Sequence, residues 1–203
     1  MNPLILSDKD TELPRAVEDI LELGGVLVFP TDTVYGIGGN PWDEQAIGRV
    51  QRMKERPAGQ PFALLMPTIE AIQRVARLDE QTRTILTRFL PGAYTFLLPA
   101  CEEAPRGVIT AGKVGVRVPN HPFFAGVMRS LDRALFGTSV NRSGEPPLVD
   151  IDAIIEQFSN VDLIVTATTP PSGASSAVID LTLDPPRALR GELPESMRPS
   201  GEK

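Results

Sequence analysis

Phe29-Pro30-Thr31-Asp32-Thr33-Val34-Tyr35-Gly36-Ile37-Gly38-Gly39 is the stretch on which the reading of this chain turns. The apolar run Val26 to Phe29 before it reads as a buried strand, and the glycines read as a turn. Past the turn, Asp43 opens a helical pattern that ends near Lys54-Glu55-Arg56. A strand, a hydroxyl-rich glycine turn, a helix and two cations predict an anion site, with glycine-freed N–H groups facing the anion.

Working outward, apolar residues at Leu13, Ala16, Val17, Ile20 and Leu21 predict a helix with Pro14 in its first turn and Gly24-Gly25 as its stop. Asp43, Thr68, Asp79 and Asp150 read as helix N-caps, and a further helix is predicted from about Pro122 to Leu131. Strands are predicted at Pro61–Met66, Tyr94–Leu98, Val108–Thr110, Val114–Val118, Leu135–Ser139, Leu163–Val165, Val178–Leu181 and Ala188–Leu189. Strands and helices alternate without strict βαβ spacing. The fold class is therefore α/β: one domain over residues 1–190, a twisted mixed sheet flanked by helices, then a polar tail over 191–203.

The 203 residues include 20 Pro and carry a net charge of −6, which argues against broad nucleic-acid binding through a positive field. Cys101 is the only cysteine, so no intrachain disulfide or cysteine zinc site is expected. No signal-peptide pattern and no membrane-length apolar run is seen, so a cytoplasmic protein without membrane contact is expected.

Several chemistries lose their signatures. No G-x-x-x-x-G-K-[ST] loop occurs, and Pro41 stands where a dinucleotide fingerprint needs its third glycine. Gly137-Thr138-Ser139-Val140-Asn141 lacks the last glycine of a nucleophile elbow. His121, the only histidine, reads as a cap or surface residue. Four polar islands remain: Thr31 to Tyr35, Lys54 to Arg56, Lys113 to Pro119, and Thr138 to Gly144. In open α/β sheets such islands mark strand ends where ligands gather. Each has a plainer reading: Lys54 and Arg56 as a solvated helix end, Ser139 and Asn141 as turn formers. Arg117 resists one, because it sits in an apolar strand and a buried Arg needs a partner or a ligand.

Taken together, Pro30–Gly38, Lys54–Pro57, Pro91–Thr95, Val116–Pro119, Thr138–Gly144 and Ser175–Asp180 resemble the P-T-[DE]-T-x-Y-G-[LI]-G, K-x-R-P, P-G-x-x-T, V-R-[VIL]-P, T-S-A-N-x-S-G and P-S-T-[VI]-[VI]-D patterns of the YrdC/TsaC family of threonylcarbamoyl-AMP synthases. The resemblance spans about Thr11 to Gly191. It implies a short, single-domain form with a large positively charged cavity. The implied reaction is nucleotidyl transfer: L-threonine, bicarbonate and ATP give threonylcarbamoyl-adenylate and pyrophosphate, for tRNA threonylcarbamoyladenosine modification completed by downstream tRNA-modification proteins. ATP is then a substrate, with Mg²⁺ on the nucleotide and no protein metal site.

The resemblance casts Lys54 and Arg56 as catalytic. It places Thr31, Tyr35, Arg117, Ser139 and Ser176 at threonine, and Lys54, Lys113, Asn141 and Arg190 at ATP. Ser175-Ser176-Ala177 departs from Pro-Ser-Thr by one hydroxyl, which bears on amino-acid selectivity. Val140 stands in for the usual Ala, and Leu65 for a histidine that some members carry. Two other readings stay open: an RNA-binding or ribosome-maturation factor using Lys54, Arg56, Lys113, Arg117 and Arg142, and a diverged paralogue with altered activity. The segment Thr166 to Ala174, with the Lys113 loop, is the expected closing element.

Overall fold

Val26–Phe29 is buried at all four positions because its two faces enter two different cores. Val26 and Val28 join one apolar cluster, Leu27 and Phe29 the other, as the two-residue period of a strand requires. A computed structural model describes residues 2–57 and 59–198. In chain order its elements are β1 (Leu4–Ser7), α1 (Leu13–Glu22), β2 (Val26–Phe29), β3 (Gly36–Gly39), α2 (Glu44–Met53), β4 (Ala63–Leu65), α3 (Glu80–Phe89), β5 (Tyr94–Pro99) and β6 (Lys113–Arg117). A wide-turn segment, Phe124–Met128, then leads into α4 (Arg129–Leu131), followed by β7 (Leu135–Ser139), α5 (Ile151–Gln157), β8 (Leu163–Thr166), β9 (Ala177–Asp180) and β10 (Arg187–Arg190).

The strands form one mixed ten-stranded sheet in the order β1-β8-β2-β3-β7-β4-β6-β5-β9-β10. Helix starts are set locally. Asp43 Oδ1 accepts from the N–H groups of Gln45 and Ala46, Asp79 Oδ1 from Thr82 and Asp150 Oδ1 from Ala153. Each such cap contributes on the order of 1 kcal/mol.

One sheet face is divided. Over β1, β8 and β2, the side chains of Leu13, Val17 and Leu21 from α1, with Phe123, Phe124, Val127 and Met128, close the apolar cluster that reaches Leu65 and Leu135. Beyond β7 that helical cover ends. The opposite face packs throughout: Leu64, Val116 and Phe96 are fully buried in the larger core, with Ile47, Val50, Ile72 and Leu86 from α2, the 3₁₀ turn Glu70–Arg74 and α3.

Four expectations change. The glycine turn is instead the central strand β3, paired with β2 on one side and β7 on the other, so its amides serve the sheet ladder and do not cradle an anion. A Cβ built on Gly38 would lie 1.7 Å from the Phe136 carbonyl oxygen, and one on Gly36 would lie 2.4 Å from the Phe29 ring. Glycine is here a condition of close packing between strands and core. Thr68 does cap, accepting from Ala71 N–H at 3.1 Å, but only the 3₁₀ turn Glu70–Arg74 follows, because Ala76 must reach its bridge to Ala100.

Val108–Thr110 is not a strand either. A 3₁₀ turn, Arg106–Val108, precedes a single bridge from Thr110 to Lys113 around Ala111 and Gly112, both at positive φ. The residues after Gly191 are not simply a polar tail: Met197, in the turn Glu195–Met197, is 9% exposed and joins the larger core. Positions 199–203 of that expected tail lie outside the described residues.

Gly38→Ala is therefore expected to destabilise the fold by about 3 kcal/mol, since backbone on a paired strand must move. Gly126→Ala, which meets nothing within 4 Å, is expected to gain roughly 0.5–1 kcal/mol. Chemical denaturation of the two variants checks both values.

Candidate functional site

On the uncovered half of that sheet face lies a cavity of about 390 Å³. Its floor is built by alternation: Ala63 and Leu65 of β4, Gly115 and Arg117 of β6, Thr95 and Leu97 of β5 all line it. Gly137, Ala63 and Gly115 stand side by side in register on three neighbouring strands. No side chain there exceeds a methyl group, so the floor lies low and flat. The ligand space expected at strand ends is thus over the sheet face, walled by loops. The lining carries Arg56, Arg117 and Arg190 and, among the described residues, no carboxylate.

Arg117 is 5% exposed and is held on three sides. Its Nε donates to Gly92 O at 3.0 Å, Nη1 to Thr33 Oγ1 at 2.7 Å and Nη2 to Asp32 Oδ1 at 2.6 Å. Burial lowers its pKa, and Asp32 works against that shift. The loop beyond β2 is stiffened by its own hydroxyls. Thr31 Oγ1 donates to Val34 O at 2.6 Å and accepts from the N–H groups of Thr33 and Val34. Because that proton is committed, Thr33 Oγ1 is the donor to Thr31 across their 2.9 Å contact. A one-way chain results, from Arg117 through Thr33 and Thr31 to Val34 O.

Arg56 follows a helix end that Glu55 closes in the left-handed region, at φ 52°. Its guanidinium lies 5.1 Å over the Phe62 ring and donates to Thr138 Oγ1 at 3.3 Å and Pro61 O at 2.9 Å. Arg56 Nε is buried with no partner among the described residues. Arg190 donates from Nε to Ser176 O at 2.9 Å and from Nη2 to Ser176 Oγ at 3.1 Å, and Ser176 Oγ contacts Thr95 Oγ1 at 3.1 Å. Burial lowers the pKa of both arginines.

Lys54 sits behind this wall, 1% exposed. Its ammonium donates to Ser139 O, to Asn141 O at 2.7 Å and to Asn141 Oδ1 at 3.0 Å. Burial, with the nearby Arg56 charge second, lowers its pKa to about 7.

Of the residues the sequence singled out, the cavity gathers Thr31, Arg56, Arg117, Ser139, Ser176 and Arg190. Four others stand away from its lining. Lys54 and Asn141 bond each other behind it. Tyr35 Oη, its pKa raised by burial, accepts from Ala167 N–H at 3.2 Å. Lys113 pairs with Asp180 at 2.7 Å, an acid whose pKa is lowered although burial opposes this, because Lys113 and Thr182 hydrogen-bond its ionised form. Thr33, Thr95, Thr138 and Ser175 also line the cavity and Asp32 holds Arg117, although the sequence reading gives these five, quoted within its motifs, no substrate contact. The need of a buried Arg117 for a partner could have found Asp32, the one acid in its island.

His121 is buried rather than superficial: Nδ1 accepts from Phe123 N–H, which leaves Nε2 to donate to Thr169 O at 3.1 Å. It thereby pins part of the segment expected to close. Ser139 Oγ donates to Asn141 Oδ1 at 2.6 Å, so it faces an amide and not a base. Among the described residues no group of three or more His, Cys, Asp or Glu could hold a metal ion. The site can bind and orient anions, and offers no nucleophile–base pair.

The Lys54 shift carries a sign. An unfolded lysine keeps its proton to about pH 10.4, while the folded one releases it near 7. Between those values the unfolded chain binds more protons, so stability rises with pH; below 7 both states are protonated and the penalty is constant. Lys54→Met is expected to flatten the rise in stability between pH 7 and 10, as denaturant melts across that range would show.

Among known proteins, threonylcarbamoyl-AMP synthase of Pyrococcus abyssi is 35% identical over 185 residues, covering 89% of this chain and 54% of that protein. Threonylcarbamoyl-AMP synthase of Chromobacterium violaceum is 34% identical over 173 residues, covering 84% and 90%. A crystal structure of P. abyssi Sua5 complexed with L-threonine superposes with a TM-score of 0.85 at 30% identity, covering 94% of this chain and 57% of that one. The chain thus spans about half the length of the P. abyssi protein and nearly all of the C. violaceum one. With residues 19–191 matching the Sua5/YciO/YrdC model, described as Telomere recombination, the chain belongs to that family.

Proposed function

We propose that this protein makes threonylcarbamoyl-AMP from L-threonine, bicarbonate and ATP, releasing pyrophosphate. The observation that carries the reading is a cavity walled by three arginines and several hydroxyls, with no carboxylate or nucleophile–base pair among the described residues. It is formed by segments of a chain that aligns with proteins named for this product.

The chemistry asks for little else. The threonine amine adds to the carbon of bicarbonate and water leaves, giving a carbamate. A carbamate oxygen attacks the α-phosphorus of ATP, the bond to the β-phosphate oxygen breaks, and pyrophosphate departs. Every species is anionic, so positioning and charge neutralisation supply the rate. Arg117 takes the threonine carboxylate, for which a guanidinium fork is suited. Arg56 faces the carbamate and α-phosphate, and Arg190 with Ser176 holds the far end of the ligands. Lys54 and Asn141 act from behind by fixing the Ser139–Asn141 turn, while Thr31 and Tyr35 shape the loop that carries Asp32. Lys113 acts through its pairing with Asp180. Magnesium arrives with the nucleotide phosphates.

The product is consumed by proteins that modify tRNA, and the reaction takes place in the cytoplasm; no helix among the described residues is long and apolar enough to cross a membrane. Residues 1–190 act as the catalytic unit.

The test is pyrophosphate release from ATP by the purified protein, with and without L-threonine and bicarbonate. Release that needs both is expected, with Arg56→Ala lowering kcat about a hundredfold or more at an unchanged fold. Release without threonine, or full activity in Arg56→Ala, would overturn the reading. Preference for another amino acid would keep the chemistry and move its selectivity to the Ser175–Ala177 segment.

A further inference from the structure

Among the described residues the Asp32 carboxylate hydrogen-bonds through a single oxygen, while its backbone carbonyl accepts from Ser172 N–H at 3.3 Å. Oδ1 accepts from Arg117 Nη2 at 2.6 Å and from the Asn120 N–H at 3.1 Å. Those two donors bracket the stretch Arg117-Val118-Pro119-Asn120, where the chain leaves β6. Asp32 therefore clips both ends of the exit from that strand. The turn bearing it is stiff, through the Thr31 hydroxyl, and is anchored from outside by Gly173 N–H on Thr33 O at 2.7 Å.

A guanidinium carries five N–H groups. Three of those on Arg117 are spent on Gly92, Thr33 and Asp32, which leaves two. Arg117 lines the cavity while Asp32 does not. The acid thus lies outside the cavity lining, where it fixes rotation about the long side chain without competing from within the cavity.

From this geometry we infer that Asp32 is a positioning residue: it locks the Arg117 guanidinium so that its two remaining N–H groups meet the carboxylate of the amino-acid substrate. This rests on the proposed threonine-dependent reaction. The acidity of Asp32 is secondary to the position of one oxygen. Since both contacts fall on Oδ1, an amide oxygen can reproduce them, whereas a methyl group cannot.

Steady-state kinetics of Asp32→Ala and Asp32→Asn decide the matter, with threonine and ATP varied separately. Asp32→Ala is expected to raise the KM for threonine about tenfold or more, with kcat and the KM for ATP changed less than about threefold, the pattern of lost ground-state binding. Asp32→Asn is expected to stay within about threefold of the parent in all three. In an Arg117→Ala background, Asp32→Ala is expected to add less than about twofold, because the acid acts only through that arginine. An unchanged KM for threonine in Asp32→Ala, or an undiminished effect in the Arg117→Ala background, would overturn the inference. So would an Asp32→Asn as impaired as Asp32→Ala.

A second readout needs no turnover. The Arg117 Nε–H signal, assigned by its loss in Arg117→Lys, should exchange with solvent about tenfold faster in Asp32→Ala than in the parent or Asp32→Asn. Equal exchange in all three overturns the lock even where activity is absent. Faster exchange in Asp32→Ala together with no threonine-dependent turnover in the parent would remove the proposed reaction, and the carboxylate ligand with it, while the lock stands.

Discussion

Everything in the cavity depends on how one buried guanidinium is satisfied. Arg117 sits in a strand whose alternate residues, Val114 and Val116, are fully buried in the larger core. Its own side chain emerges on the opposite face beside Gly115, which contributes no bulk. Left unpaired at 5% exposure, such a cation would cost several kcal/mol. Asp32 offsets that charge, while Thr33 and Gly92 each accept one further N–H. The same contacts tie the loop after β2 to the end of β6 and to the turn after α3. Fold and site share these bonds, so the wall of the cavity is as rigid as the sheet beneath it.

The remaining cations are treated differently. Lys54, Arg56 and Arg190 meet carbonyls, hydroxyls and an aromatic ring, and no carboxylate lies within ion-pair distance of them among the described residues. Carbonyl oxygens satisfy N–H groups without cancelling their charge. Burial lowers the pKa of all three, with no carboxylate to oppose it as Asp32 does for Arg117. An apolar version of this wall would be more stable and would bind no anion, the usual exchange of stability for a poised site. The orphaned Arg56 Nε belongs to the same account.

Much of this was legible in the sequence, and the failures have physical causes. Leu135–Ser139 is a strand at the predicted residues because its apolar run is bounded by clear breaks. Asp43, Asp79 and Asp150 cap helices as read, since a cap is a local hydrogen bond that needs nothing distant. Gly36 to Gly39 misled because glycine-rich segments read as turns, and only the neighbouring Phe29 ring and Phe136 carbonyl explain why a strand there must lack side chains. Lys54 looked like a solvated helix end; its burial depends on the Ser139–Asn141 turn arriving from 85 residues away. The resemblance places Lys113 at ATP, and nothing local reveals its partner, Asp180, which lies two strands across the sheet. Local bonds could be read, and bonds that close through the sheet could not.

The division of one sheet face explains why a cavity exists at all. Over β1, β8 and β2 the face presents Leu27, Phe29, Leu163 and Val165, and two helical segments cover it. From β7 onward the same face presents Gly137, Ala63 and Gly115 in one row, with Arg117, and larger apolar side chains only at positions such as Leu65 and Leu97, which gives a helix little to bury. At about 25 cal/mol per Å² of apolar surface, a row of glycine and alanine cannot offset the ordering of a covering helix. Loops bearing hydroxyls and arginines reach over it instead. The composition of three adjacent strands at one register thus both excludes a covering layer and sets the flat floor beneath the guanidinium groups.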